Sequence, residues 1–167
     1  PVAWKDGWPL LAAGGKVPDT LDLPAGKGLI PGIVASDEFD RAPGERALPL
    51  VWQWNHNPDD ALWSLTERPG FLRLTTGRVD ADFLSARNTL TQRTIGPEST
   101  GTTALAVRRM KDGDFAGLAL LQKHYGLVGV EAEGGKRTLV MVSAESGSPV
   151  EAQRVPLDQE TIFLKAE

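Results

Sequence analysis

The chain has 167 residues, 41% of them hydrophobic and 24% charged, with a net charge of -4 at pH 7. That length sets one domain as the prior and leaves room for a substantial core. A mildly acidic chain without a basic cluster argues against nucleic acid or an anionic membrane as partner, no apolar run approaches the ~20 residues that span a bilayer, and the lack of cysteine excludes disulfides, thiol catalysis and Cys-based zinc sites.

Residues 1–32 are rich in Gly, Pro and small side chains. Two short apolar pieces, Val2 to Trp4 and Gly7 to Leu11, stand in a stretch with no helical period. This predicts an extended segment and linker lying across a surface. Trp4, Trp8 and Leu10 are then expected to be exposed wherever that surface is missing.

From Ile33 onward the pattern is strand after strand. Strands are predicted at 33–39, 49–54, 62–67, 71–76 and 85–95, then at 102–110, 114–125, 126–133, 138–145, 150–156 and 161–167. Turn signals separate them: Gly44, Asn57-Pro58, Pro69-Gly70, Gly96-Pro97, Asp112-Gly113, Gly134-Gly135 and Gly147-Ser148-Pro149. Short strands at this spacing predict an all-β antiparallel sandwich or barrel. The Glu133 to Arg137 stretch is a hairpin candidate. Residues 114–125 are apolar on both faces at first, which predicts a central strand turning polar at Gln122. Only Phe83 to Ala86 hints at a turn of helix.

Several residues could carry chemistry. Trp52 and Trp54 share a face if they lie on a strand, and aromatic faces stack on pyranose rings. Core packing is the competing reading, because large aromatics dominate sandwich cores. Asn88 and Gln92 share one face of a polar strand and could bond sugar hydroxyls, while Arg87, Thr89, Thr91 and Arg93 occupy the other. A solvated or interdomain surface explains the same pattern. Gln122 and His124 could contact a ligand at a strand end, although such a histidine is more often structural. No Ser/His/Asp order, phosphate-cradling loop or metal-binding helix is present.

The stretch from Val51 to Leu74, with Trp52, Trp54, Asn57-Pro58-Asp59-Asp60 and Arg68-Pro69-Gly70, resembles a known family. So do Ala86 to Arg93 with Gly96-Pro97, Asp112 to Ala119, and His124-Tyr125-Gly126. These words resemble, in order, the C-terminal concanavalin A-like domain of glycoside hydrolase family 43, of the β-xylosidase and α-L-arabinofuranosidase type. The resemblance implies a two-sheet jelly-roll sandwich over residues 33–167, preceded by an extended N-terminal segment. The first residues resemble the closing strand of the family's five-bladed catalytic propeller, so residues 1–32 are expected to be a propeller-closing segment and linker. The family's catalytic carboxylates lie in the propeller, and no catalytic residue is assigned in this chain.

The resemblance implies further partners, the catalytic propeller of the same protein and a plant cell-wall oligosaccharide, while the charge pattern already argues for no nucleic acid and no membrane. It implies an accessory role, a parent with glycosidase activity, and an inactive isolated chain. A free-standing carbohydrate-binding module is the alternative. Concanavalin A-like sandwiches often carry a structural calcium, which makes Asp37 and Asp40 weak candidates. Calcium-loop spacing is missing there, so a solvated acidic turn is the simpler reading. Beyond that, no cofactor is expected. The chain is expected to be an internal or processed fragment, C-terminally incomplete, with open sheet edges that invite self-association. Its compartment stays open between the bacterial cytoplasm and a secreted or periplasmic location.

Overall fold

The computed structural model describes residues 2–11 and 32–167. Contacts divide the chain into two units, Pro1–Gly32 and Ile33–Glu167. Among the described residues every regular element is a β-strand, apart from one short 3-10 turn at Phe83–Ser85.

In the first unit β1 (Val2–Lys5) and β2 (Trp8–Leu11) form an antiparallel hairpin in which Lys5 faces Trp8. Asp6 and Gly7 make its turn with φ of 51° and 80°. Both are left-handed, as a two-residue hairpin turn requires, and Asp-Gly is a dipeptide that tolerates it. The sequence therefore holds a hairpin where an extended piece was expected. Directly opposed residues share a face. Trp8 accordingly lies on the face of Lys5 and Leu10, and Trp4 on the other face with Pro9. Trp4 is 71% exposed and Trp8 73%. The expected linker, residues 12–31, lies outside the described residues.

The second unit begins with four two-residue strands: β3 (Gln53–Trp54), β4 (Trp63–Ser64), β5 (Arg73–Leu74) and β6 (Leu90–Thr91). They pair as β3 with β6 and β4 with β5, both antiparallel. Longer strands follow: β7 (Gly101–Ala106), β8 (Phe115–Leu120), β9 (Gly126–Glu133), β10 (Lys136–Ser143), β11 (Val150–Pro156) and β12 (Thr161–Ala166). Four of them form one antiparallel sheet in the order β11-β10-β9-β8, and β12 pairs with β7. The β9–β10 hairpin turns at Gly134-Gly135, both with positive φ, where it was expected.

The core explains the alternation in these strands. Ala116, Val130, Leu139 and Val155 face one another across the sheet. On that face Val130 and Val107 are fully buried, Leu157 lies beside them, and Leu105, Met110, Leu139 and Ile162 pack around them. Leu105 and Ile162 are cross-strand partners on β7 and β12. This apolar cluster holds the β7–β12 pair against the four-stranded sheet. Each such fully buried side chain contributes roughly 1.5–3 kcal/mol.

Two predicted features differ. Residues 114–125 were expected to form a central strand, but β8 is the last hydrogen-bonded strand of its sheet and ends at Leu120. Its small residues serve a close approach instead. Gly117 faces Gly129, and a Cβ added to Gly129 would sit 2.5 Å from the Ala116 carbonyl oxygen and 2.8 Å from the Phe115 ring. The predicted strand at 33–39 is absent. There Asp37 accepts from the Phe39 amide at 2.9 Å, and Phe39 turns left-handed with φ of 52°. Strand pairing cannot continue through that turn.

The free edge at β11 carries three protective features. Its register shifts between Met141 and Val142 of β10. This bulge lets Glu151 and Arg154, three apart, meet in a forked ion pair. Pro156 ends the strand without a donor.

Candidate functional site

Asp37 is the centre of a polar cluster in which three donors meet one carboxylate. Its Oδ2 accepts from the Arg41 guanidinium at 2.6 Å and from the Trp52 ring N–H at 2.9 Å. Its Oδ1 takes the Phe39 amide. The Phe39 ring lies 5.5 Å from that of Trp52, centroid to centroid. The Asp37 and Arg41 side chains are only 8% and 10% exposed. Burial pushes the Asp37 carboxyl up, but the Arg41, Phe39 and Trp52 hydrogen bonds and the charge of Arg41 outweigh it. The carboxyl is held below its ordinary 3.8.

A second cluster surrounds Trp54. Its ring centroid is 5.4 Å from that of Trp63, tilted 54°. The Trp63 ring N–H donates to Asp60 at 3.1 Å, and Arg46 lies 6.0 Å over the Trp63 ring. Trp52 and Trp54 are both half-buried, each with its own aromatic partner. Next along the chain, Asn55 and His56 both hydrogen-bond the Leu84 carbonyl, at 3.2 and 2.7 Å. Leu84 belongs to the 3-10 turn, which Asp82 caps through the Ser85 amide. The Phe83 ring then meets Tyr125 at 5.0 Å.

Gln92 spends its amide on one residue. Its Oε1 accepts from the Ala35 amide at 2.9 Å, and its Nε2 donates to the Ala35 carbonyl at 2.8 Å. The side chain thus replaces a strand partner for residue 35. Asn88 is exposed in a turn, because the ladder in this region is confined to Leu90 and Thr91. The structure therefore does not assemble Asn88 and Gln92 into a continuous polar strand face. Gln122 and His124 lie exposed beyond the end of β8. The His124 Nδ1 hydrogen-bonds the Glu145 carbonyl at 2.8 Å. Glu145 also lines an open depression of about 410 Å³ with Ser143, Ser146 and Val150.

The acidic turn does not fit a calcium ion. Both Asp37 oxygens already accept from protein donors, and a guanidinium occupies the position a cation would take. Among the described residues no group of three His, Cys, Asp or Glu side chains converges as metal ligands would. Arg41, Phe39 and Trp63 were not singled out from sequence. The Asp37/Arg41 spacing of four residues was the one available signal for the first cluster, and the i to i+3 spacing of Asp60 and Trp63 for the second.

Antiparallel ladders packed on an apolar core are the arrangement of a β-sandwich. Residues 36–167 match the model of the beta xylosidase C-terminal concanavalin A-like domain, GH43_C2, and the chain belongs to that family. A beta-xylosidase of Formosa agariphila is 33% identical over 83% of this chain and 28% of its own length. A putative beta-xylosidase of Xylanibacter ruminicola is 33% identical over 80% of this chain and 25% of its own length. The chain thus spans about a quarter of the curated relatives it matches. Among solved structures, a bifunctional GH43-CE protein of Bacteroides eggerthii is 59% identical, with a TM-score of 0.78 over 99% of this chain and 21% of the other. A GH43 protein of Bacillus licheniformis is 27% identical, with a TM-score of 0.67 over 99% of this chain and 32% of the other.

Proposed function

We propose that this region is the accessory sandwich of a family 43 glycoside hydrolase, bracing a catalytic propeller and helping to wall its substrate pocket. The parent's substrate would be a xylan- or arabinan-type plant cell-wall oligosaccharide. The observation that carries this reading is the family match over residues 36–167, in a chain that its relatives contain as a fraction of a longer protein. The N-terminal hairpin adds support. It offers an exposed tryptophan on each face, and a two-stranded hairpin is marginal in water unless something covers it. A propeller would supply that cover.

The tightly satisfied clusters suit a bracing role. Asp37 and Gln92 place their polar atoms on this chain's own groups, and the half-buried tryptophans stack on their own neighbours. For that reason the free-standing carbohydrate-binding module is the less favoured reading. Self-association through sheet edges gains no support at β11, given its bulge, ion pair and terminal proline.

Deletion of residues 33–167 from the parent tests the proposal. The expected result is a lower melting temperature for the catalytic domain and reduced kcat/KM on xylosides or arabinofuranosides. Unchanged stability and unchanged kinetics would sink it.

A further inference from the structure

Arg68 opens the turn Arg68-Pro69-Gly70-Phe71. The Phe71 amide donates to the Arg68 carbonyl at 3.1 Å, and Gly70 has φ of 75°. Proline second and a positive-φ glycine third are the residues a type II turn requires. Residues first and fourth in such a turn come together. Here the Arg68 guanidinium lies 3.5 Å from the centroid of the Phe71 ring. The turn is also backed by the Asp37 cluster's loop, since a Cβ on Gly70 would sit 3.9 Å from the Glu38 carbonyl oxygen.

Stacking fixes a guanidinium without using its N–H groups. The other arginines show what usually becomes of those groups. Arg41, Arg73, Arg78, Arg108, Arg109 and Arg154 each lie within ion-pair distance of a carboxylate. Arg46 and Arg137 reach backbone carbonyls. Arg68 makes neither contact among the described residues. Arg87 and Arg93 share that lack, but no ring is stacked on either.

We infer that Arg68 is a pre-ordered carboxylate clamp whose partner is an Asp or Glu on the catalytic domain of the same polypeptide. A planar fork with its donors free matches a carboxylate bidentately. A rigid turn suits a partner that is itself fixed on a folded surface. The inference rests on the bracing role proposed above and gives that interface a chemistry.

Calorimetry of the full parent, at low and at high salt, tests it. Arg68→Ala is expected to lower the catalytic domain's transition at low salt and to remove part of that transition's salt dependence. Arg68→Glu is expected to lower it further. Arg68→Lys keeps the charge but loses the stacked fork, and is expected to fall between wild type and Arg68→Ala. The sandwich's own transition reports whether each variant still folds. If Arg68→Glu leaves the catalytic transition in place while deletion of residues 33–167 lowers it, the clamp is refuted and bracing survives. If neither change moves it, both fail.

Discussion

At the scale of single residues, Asp37 has the sharpest consequences. Its carboxylate joins a loop residue, Arg41, to a ring on the next segment, Trp52. Asp37→Asn would leave a largely buried guanidinium without its counter-charge, at a cost of roughly 1–3 kcal/mol. The pH dependence has a definite sign. The folded carboxyl titrates below its ordinary 3.8, so the unfolded chain takes up the proton first as pH falls. The stabilisation is therefore complete above the unfolded value and is lost as pH drops through the folded one. Urea unfolding from pH 6 to pH 3 is expected to show wild type and Asp37→Asn converging below about pH 4. A gap that stays constant with pH would contradict this. The node was only partly legible in sequence. Asp37 stood out as a carboxylate in an acidic turn, but its partner Trp52 is fifteen residues away, and such a pairing depends on tertiary placement.

At the scale of elements, legibility followed strand length. β9 and β11 match their predicted bounds, because Gly126 and Gly134-Gly135 bracket the first run and Pro149 and Pro156 the second. The N-terminal half was over-read. Its apolar words are spent on aromatic pairs and side-chain contacts, so the ladders there shrink to two residues. Gln92 shows the reason most clearly, since a side chain does for Ala35 what a strand backbone would do. The first hairpin was missed although Asp6-Gly7 carries its turn signal. The placement of β8 at the sheet's end was also hidden, because the Gly117–Gly129 contact depends on register. That contact predicts an order of stabilities. Gly129→Ala drives a methyl into the β8 backbone, and overpacking of this kind costs about 1–3 kcal/mol. Gly126→Ala meets open space and is expected to cost less. Chemical denaturation of the two variants decides, and equal stabilities would refute the close-approach account.

At the scale of the whole molecule, the described core is small for the strands it serves. Val107, Val130 and Leu157 anchor it, while Phe163 is 78% exposed on the outer side of β12 and Met141, Val150 and Leu120 are exposed on the four-stranded sheet. Single exposed apolar side chains are ordinary on a protein surface, so the small core is the telling feature. That agrees with a domain that its relatives carry inside longer chains. Family membership was legible from the order of short words along the sequence, whereas the division of labour between this sandwich and a catalytic domain is a matter of chemistry. The most direct measurement is hydrolysis of nitrophenyl xyloside and nitrophenyl arabinofuranoside by this chain alone, beside a longer parent carrying the proposed catalytic propeller. The account predicts turnover by the parent and none by the isolated chain. Turnover by the isolated chain, abolished by substitution of one of its own carboxylates, would contradict it.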